Sequence, residues 1–208
     1  MTMRPPLPGV ILAGGLSRRM GGGDKSLLDL NGLNLIDHVV KRLRPQVTDI
    51  AINANGPSDR FSYLGYSVIP DSIEGFAGPL AGVLTGLDWA AEAHPDASHI
   101  VTAAADTPFF PQDLVERLSA AAGDRSDAIL LASTGGKTHS VFGLWPVALR
   151  HDLRDWLTSQ DNRKVLAWTD RHGFDLVSFD DPASDLDPFF NINRPDDLDA
   201  ALNHLRSI

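Results

Sequence analysis

The chain reads as an α/β domain built on a mostly parallel central sheet with helices on both faces. Two observations point there. Short apolar runs, each closed by glycine, proline or a polar residue, alternate along the chain with segments whose apolar residues recur at helical spacing. One of these runs, residues 98–105, is almost wholly apolar, as befits a central strand covered on both sides. With 208 residues the chain can build one good core, so one domain over 1–208 is expected.

The first strand is Val10 to Ala13, which stops at Gly14-Gly15. Leu35, Ile36, Val39, Val40 and Leu43 then fall at helical spacing, with Pro45 as the stop. A second strand, 49–53, ends in the polar residues Asn53 and Asn55 before Gly56-Pro57, and a third, 67–70, ends at Asp71. Pro79, favoured in a first helical turn, opens a helix to about residue 93. The central strand ends at Asp106, and a helix from near Pro111 stops before Gly123. Strands are expected at 127–133 and 138–145, helices at 146–159 and 163–172, and a strand at 174–179. Residues 189–193 read as a short extended piece and 195–206 as the closing helix. Because strands and helices alternate, the sheet should be mostly parallel, with any ligand beyond the carboxyl ends of its strands. Gly14-Gly15, Asn53, Asp71 and Asp106 all fall on that rim.

The loop after the first strand is the most informative stretch. Residues 10–25 hold five of the 18 glycines and the cations Arg18, Arg19 and Lys25. Bare glycine N–H groups with fixed positive charge make a cradle for phosphate. Spacing excludes two familiar phosphate loops: Asp24, not glycine, precedes Lys25-Ser26, and G-x-G-x-x-G is absent after the first strand. Asp106 is a candidate Mg²⁺ ligand, since a hard cation that shares its shell with phosphates prefers carboxylate oxygen. Its alternative, a cap on the helix near 111, is disfavoured by the intervening Thr107-Pro108.

Leu12-Ala-Gly-Gly-x-Ser-x-Arg-Met-Gly followed by Asp24-Lys25 resembles the signature loop of the molybdenum cofactor guanylyltransferases. Gly78-Pro-Leu-Ala-Gly82, Asp106-Thr-Pro and Asn191-Ile-Asn193 extend the likeness over nearly the whole chain. The resemblance implies a Rossmann-like nucleotidyltransferase that transfers GMP from GTP to Mo-molybdopterin. It also implies a GTP-binding N-terminal part and a pterin-binding C-terminal part. It assigns Leu12, Ala13, Gly14, Gly15, Lys25, Asn53, Asp71 and Asp106 to GTP, and Arg163, Lys164, Asn191 and Asn193 to the second substrate. Arg19 and Lys25 are expected to stabilise phosphate charge, with Mg²⁺ on Asp106. Asn193 also stands where it could cap the helix near Pro195, and both roles stay open. His139 lies on a strand that resembles the family's substrate side, although a single histidine is more often structural.

Composition narrows the partners. A net charge of −9 disfavours general binding to nucleic acid or an anionic membrane, so a polyanionic substrate must be met by local charge. The absence of cysteine excludes disulfides, thiolate metal sites and cysteine nucleophiles. No apolar stretch reaches membrane-span length, and residues 1–9 have no hydrophobic signal core, so a cytoplasmic location is expected. The proteins that deliver or receive the cofactor are the expected partners beyond GTP and Mo-molybdopterin. Two alternatives stay open: a related enzyme using CTP or a sugar phosphate, and a GTP-binding module without turnover.

Overall fold

The structure, a computed structural model, describes residues 7–14, 24–73, 75, 78–159, 164–181 and 186–207. Strand β1 (Gly9–Leu12) is buried from Gly9 to Ile11. A small hairpin follows, β2 (Asp29–Leu30) and β3 (Leu33–Asn34), turned by Asn31 and Gly32 at φ 59° and 82°. Helix α1 (Leu35–Leu43) buries Leu35, Ile36, Val39 and Leu43, and the Asp37 carboxylate accepts the Asn34 N–H at 2.8 Å to tie down its first turn. Strands β4 (Ile50–Asn53) and β5 (Ser67–Ile69) are linked through a 3₁₀ helix, Ser58–Leu64. Gly78, at φ 148°, delivers the chain to α2 (Pro79–Ala93), whose first residue is proline.

Strand β6 (His99–Ala104) is buried throughout, as its apolar sequence requires. Next come α3 (Leu114–Ala122), β7 (Leu130–Thr134) and β8 (Lys137–Pro146). A 3₁₀ turn, Val147–Leu149, precedes α4 (Arg150–Ser159), so the helix expected from 146 begins later. Helix α5 (Val165–His172), strand β9 (Asp175–Ser178) and α6 (Pro195–Ser207) complete the described elements.

The seven-stranded sheet has the order β5-β4-β1-β6-β8-β7-β9, with β6 at its centre. All its pairings are parallel except those of β8, which runs antiparallel to both β6 and β7. Simple alternation of strands and helices missed that reversal. Its cause is the tight turn at Gly135-Gly136, with φ of 55° and 75°, which folds β8 straight back on β7. Residues 189–193 differ too. They belong to no strand, and the Ile192 N–H instead donates to the Asp106 carbonyl at 3.0 Å.

Alternate residues of β1 feed the two layers. Ile11 packs in a core with Ile36, Val39 and Leu43 of α1 and Leu114 and Leu118 of α3, while Val10 packs with Val83, Leu84 and Leu87 of α2. Helices therefore cover both faces, as expected. Trp145 and Trp168 are fully buried in the α2 layer, and Trp89 and Trp156 pack at its edge. No helix among the described residues is long and apolar enough to cross a membrane.

Candidate active site

Strand register brings the carboxyl ends of four neighbours to one rim. Leu12 is level with Asn53 on one side and Ala104 on the other, and Asn53 is level with Ile69. Two further backbone bonds, Ala13 N–H to the Asn53 carbonyl (2.9 Å) and Ala105 N–H to the Leu12 carbonyl (3.1 Å), continue the ladder past the strand ends. Gly14 and Asp106 thus emerge from adjacent strands into an open cleft of about 230 Å³. Its walls include Leu12, Ala13, Gly14, Asp24, Lys25, Pro79, Asp106, Val141 and Asn191.

Lys25 is the centre of this cleft. Its ammonium donates to Asp106 Oδ2 at 2.5 Å, Asn193 Oδ1 at 2.6 Å and Asn191 Oδ1 at 2.9 Å. An ammonium has three protons, and each has an acceptor here. Asp106 takes no part in capping: Asp113 holds the cap position of α3, and the second oxygen of Asp106 accepts the Thr107 hydroxyl at 3.3 Å. Asn193 likewise spends its carbonyl oxygen on Lys25, while the Asp197 carboxylate accepts the Asn193 and Arg194 N–H groups at the start of α6.

Residues 189–193 reach Lys25 because their apolar members are anchored. Ile192 is fully buried beneath α6, and Phe189 is buried against Phe142, Phe179 and the His139 ring, whose centroid lies 4.4 Å away. With Ile192 turned inward, Asn191 and Asn193 turn the other way together. His139 is therefore a packing residue behind the site. Its Nε2 lies 2.6 Å from the Thr134 hydroxyl, which donates to Asp187 at 3.2 Å. Burial lowers the His139 pKa; the Asp187 carboxylate opposes that shift and Lys137 adds to it.

Asn53 and Asp71 form a second cluster beside Gly14. Asn53, 2% exposed, donates to Asp71 Oδ1 at 2.9 Å and to the Ile69 carbonyl at 3.3 Å. Asn55 donates to Asp71 Oδ2 at 2.8 Å and accepts the Asp71 N–H at 2.9 Å, so Asp71 is held from two sides. Neither Asn53 nor Asp71 lines the cleft itself. Lys164 stands before the first turn of α5, likewise away from the cleft lining. Gly15, Arg18, Arg19 and Arg163 lie outside the described residues.

Asp24 and Arg60 carry no role in the sequence reading. Asp24 Oδ1 accepts the Ser26 N–H (3.1 Å) and hydroxyl (2.6 Å), capping the 3₁₀ turn Lys25–Leu27, and Oδ2 accepts Arg60 Nε at 2.7 Å. The Asp-x-Ser spacing of a local side-chain turn was a signal for the first contact. Nothing periodic marks the second.

Residues 9–173 match the model of the MobA-like NTP transferase domain. A molybdenum cofactor guanylyltransferase from Mesorhizobium japonicum is 51% identical over 207 residues, covering 99% of each chain. Another, from a Bradyrhizobium species, is 50% identical over 92% of this chain and 90% of its own. Among solved structures, the molybdopterin-guanine dinucleotide biosynthesis protein A of Archaeoglobus fulgidus superposes with a TM-score of 0.74. It covers 97% of this chain and all of its own at 22% identity, a likeness of fold. By domain and by full-length identity, the chain belongs to the molybdenum cofactor guanylyltransferases, a family of nucleotidyltransferases.

Proposed function

We propose that the chain transfers GMP from GTP to Mo-molybdopterin in the cytoplasm, giving the guanine dinucleotide form and pyrophosphate. The observation that carries this reading is the convergence of Lys25, Asp106, Asn191 and Asn193 at the rim. A phosphate oxygen of the pterin attacks the α-phosphorus of GTP, the new P–O bond forms, and the bond to the bridging oxygen of pyrophosphate breaks. Such a displacement asks the protein for alignment and charge neutralisation rather than a nucleophile.

Each part of the rim has work in this scheme. Gly14 and its neighbours in the β1 loop line the nucleotide side, with Asn53 and Asp71 behind it. Lys25 neutralises charge on the triphosphate, and Asn191 and Asn193 hold the pterin phosphate beside it. The C-terminal half, including Lys164, takes the pterin. Gly15, Arg19 and Arg163 join the proposal through the family resemblance alone, as do the proteins that deliver or receive the cofactor.

The donor set also fits Mg²⁺. Among the described residues no group of three or more His, Asp or Glu side chains could hold a metal. Mg²⁺ shared with phosphates needs only one or two carboxylates, however. The oxygens of Asp106, Asn191 and Asn193 already surround one cation, the Lys25 ammonium, at 2.5–2.9 Å. When bound there, Mg²⁺ would polarise the substrate phosphates and offset their developing charge. In the corresponding test, Asp106→Asn keeps the side-chain shape and removes the charge, and pyrophosphate release from GTP and Mo-molybdopterin falls about a hundredfold or more. Turnover equal to wild type would show that Asp106 has no such role.

A further inference from the structure

We infer that Arg60 is a positioning residue for the triphosphate side of the cleft, acting through Asp24 on Lys25. The inference rests on the guanylyltransferase reading. Arg60 belongs to the 3₁₀ helix Ser58–Leu64, remote in sequence from Lys25, yet its guanidinium reaches Asp24, the residue just before it. Nε donates to Asp24 Oδ2 at 2.7 Å, Nη2 donates to the Asn55 carbonyl at 2.7 Å, and Nη1 donates to the Pro57 carbonyl. The guanidinium also lies 4.6 Å from the centroid of the buried Phe61 ring. With its side chain 20% exposed and both edges engaged, Arg60 has little freedom to swing away.

Asp24 passes that rigidity on. One carboxylate oxygen is held by Arg60, and the other caps the turn in which Lys25 is the first residue. The direction in which Lys25 enters the cleft is thereby referred to the backbone after β4. Arg60 performs an electrostatic task as well. Asp24 lines a cleft meant for a polyanion, and an unpaired carboxylate there would repel phosphate; the guanidinium cancels that charge. A lysine cannot replace these contacts, since one ammonium lacks the planar fork that spans a carboxylate and two carbonyls.

The β- and γ-phosphates separate this role from simple structural support. GTP and GMP binding are measured calorimetrically with wild type, Arg60→Met, Arg60→Lys and Asp24→Asn. For Arg60→Met the GTP affinity falls about tenfold while GMP affinity stays within about twofold, because Arg60 meets the Asn53–Asn55–Asp71 cluster only at the Asn55 main-chain carbonyl, and the bonds that hold Asn53 to Asp71 and to the Ile69 carbonyl do not include it. Arg60→Lys recovers only part of the loss. Combining Asp24→Asn with Arg60→Met adds less than about twofold, as expected for two groups acting through one contact. Equal loss of GTP and GMP affinity, full rescue by lysine, or an unchanged GTP-to-GMP ratio in a folded Arg60→Met protein would overturn the inference. Wild type that binds neither guanine nucleotide would instead contradict the guanylyltransferase reading.

Discussion

Gly82→Ala sets two effects of known size against each other. Gly82 sits in the second turn of α2, where alanine is favoured over glycine by about 1 kcal/mol in a helix interior. A Cβ there would lie 2.4 Å from Asn53 Oδ1, 3.2 Å from Asn53 Cγ and 2.8 Å from Leu12 Cδ2. Asn53 cannot slide freely, because it is 2% exposed and its amide is bonded to Asp71 and to the Ile69 carbonyl. Overpacking of this kind costs about 1–3 kcal/mol, and loss of the Asn53 bonds adds about 1–3 kcal/mol more. The clash outweighs the helix gain, so a net loss of about 1–5 kcal/mol is expected in urea unfolding, together with a GTP affinity about tenfold weaker. Gly86→Ala is the control. Its Cβ would meet Val10 Cγ2 at 2.7 Å and Ile100 Cδ1 at 2.9 Å, so stability falls while GTP affinity holds. If Gly82→Ala matched wild type in both stability and GTP affinity, close approach of α2 to Asn53 would not be what shapes this wall.

Three further outcomes follow from the site. Gly14→Ala folds normally, since Gly14 is not among the positive-φ glycines and, among the described residues, its Cβ would meet only Asn53 Oδ1 at 3.6 Å; the added methyl lowers kcat/KM for GTP relative to CTP by about 1–3 kcal/mol of discrimination, and an unchanged ratio would remove Gly14 from base selection. Lys25→Ala slows nucleotidyl transfer about a hundredfold, yet nucleotide-free protein binds Mn²⁺ about tenfold more tightly, read from the EPR signal of the free ion, because the ammonium no longer occupies the oxygens of Asp106, Asn191 and Asn193; equal Mn²⁺ affinity would separate the two cation positions. His139 has a pKa lowered by burial, so its contribution to stability is full above about pH 6.5, the unfolded value, and is lost as pH falls toward the lowered folded value. His139→Gln should flatten that part of the Tm–pH curve, and an unaltered slope would assign it to other groups.

The parts of the fold that rest on local pattern were legible in the sequence. Val10 to Leu12, the helix opened by Pro79 and the apolar β6 declare themselves through burial and turn chemistry. The rim followed from them, because parallel strands deliver their last residues to one side. The antiparallel β8 was also legible in principle, since Gly135-Gly136 between two apolar runs is a two-residue hairpin turn. Other contacts were not. Asn191 and Asn193 meet Lys25 across 166 and 168 positions, and only the family resemblance placed them near the substrate. Arg60 was silent because its carboxylate partner, Asp24, is 36 positions away and is brought near by the tertiary path, while the neighbouring carbonyls of Asn55 and Pro57 leave no periodic trace.

The most direct test of the central claim is a nucleotide panel with wild-type protein, Mg²⁺ and Mo-molybdopterin. Pyrophosphate release is followed for GTP and CTP, and the dinucleotide product is identified by mass. GTP should support turnover with formation of the guanine dinucleotide, and omission of the pterin should abolish it. A preference for CTP, or pyrophosphate release that proceeds only with a sugar phosphate as acceptor, would contradict the account.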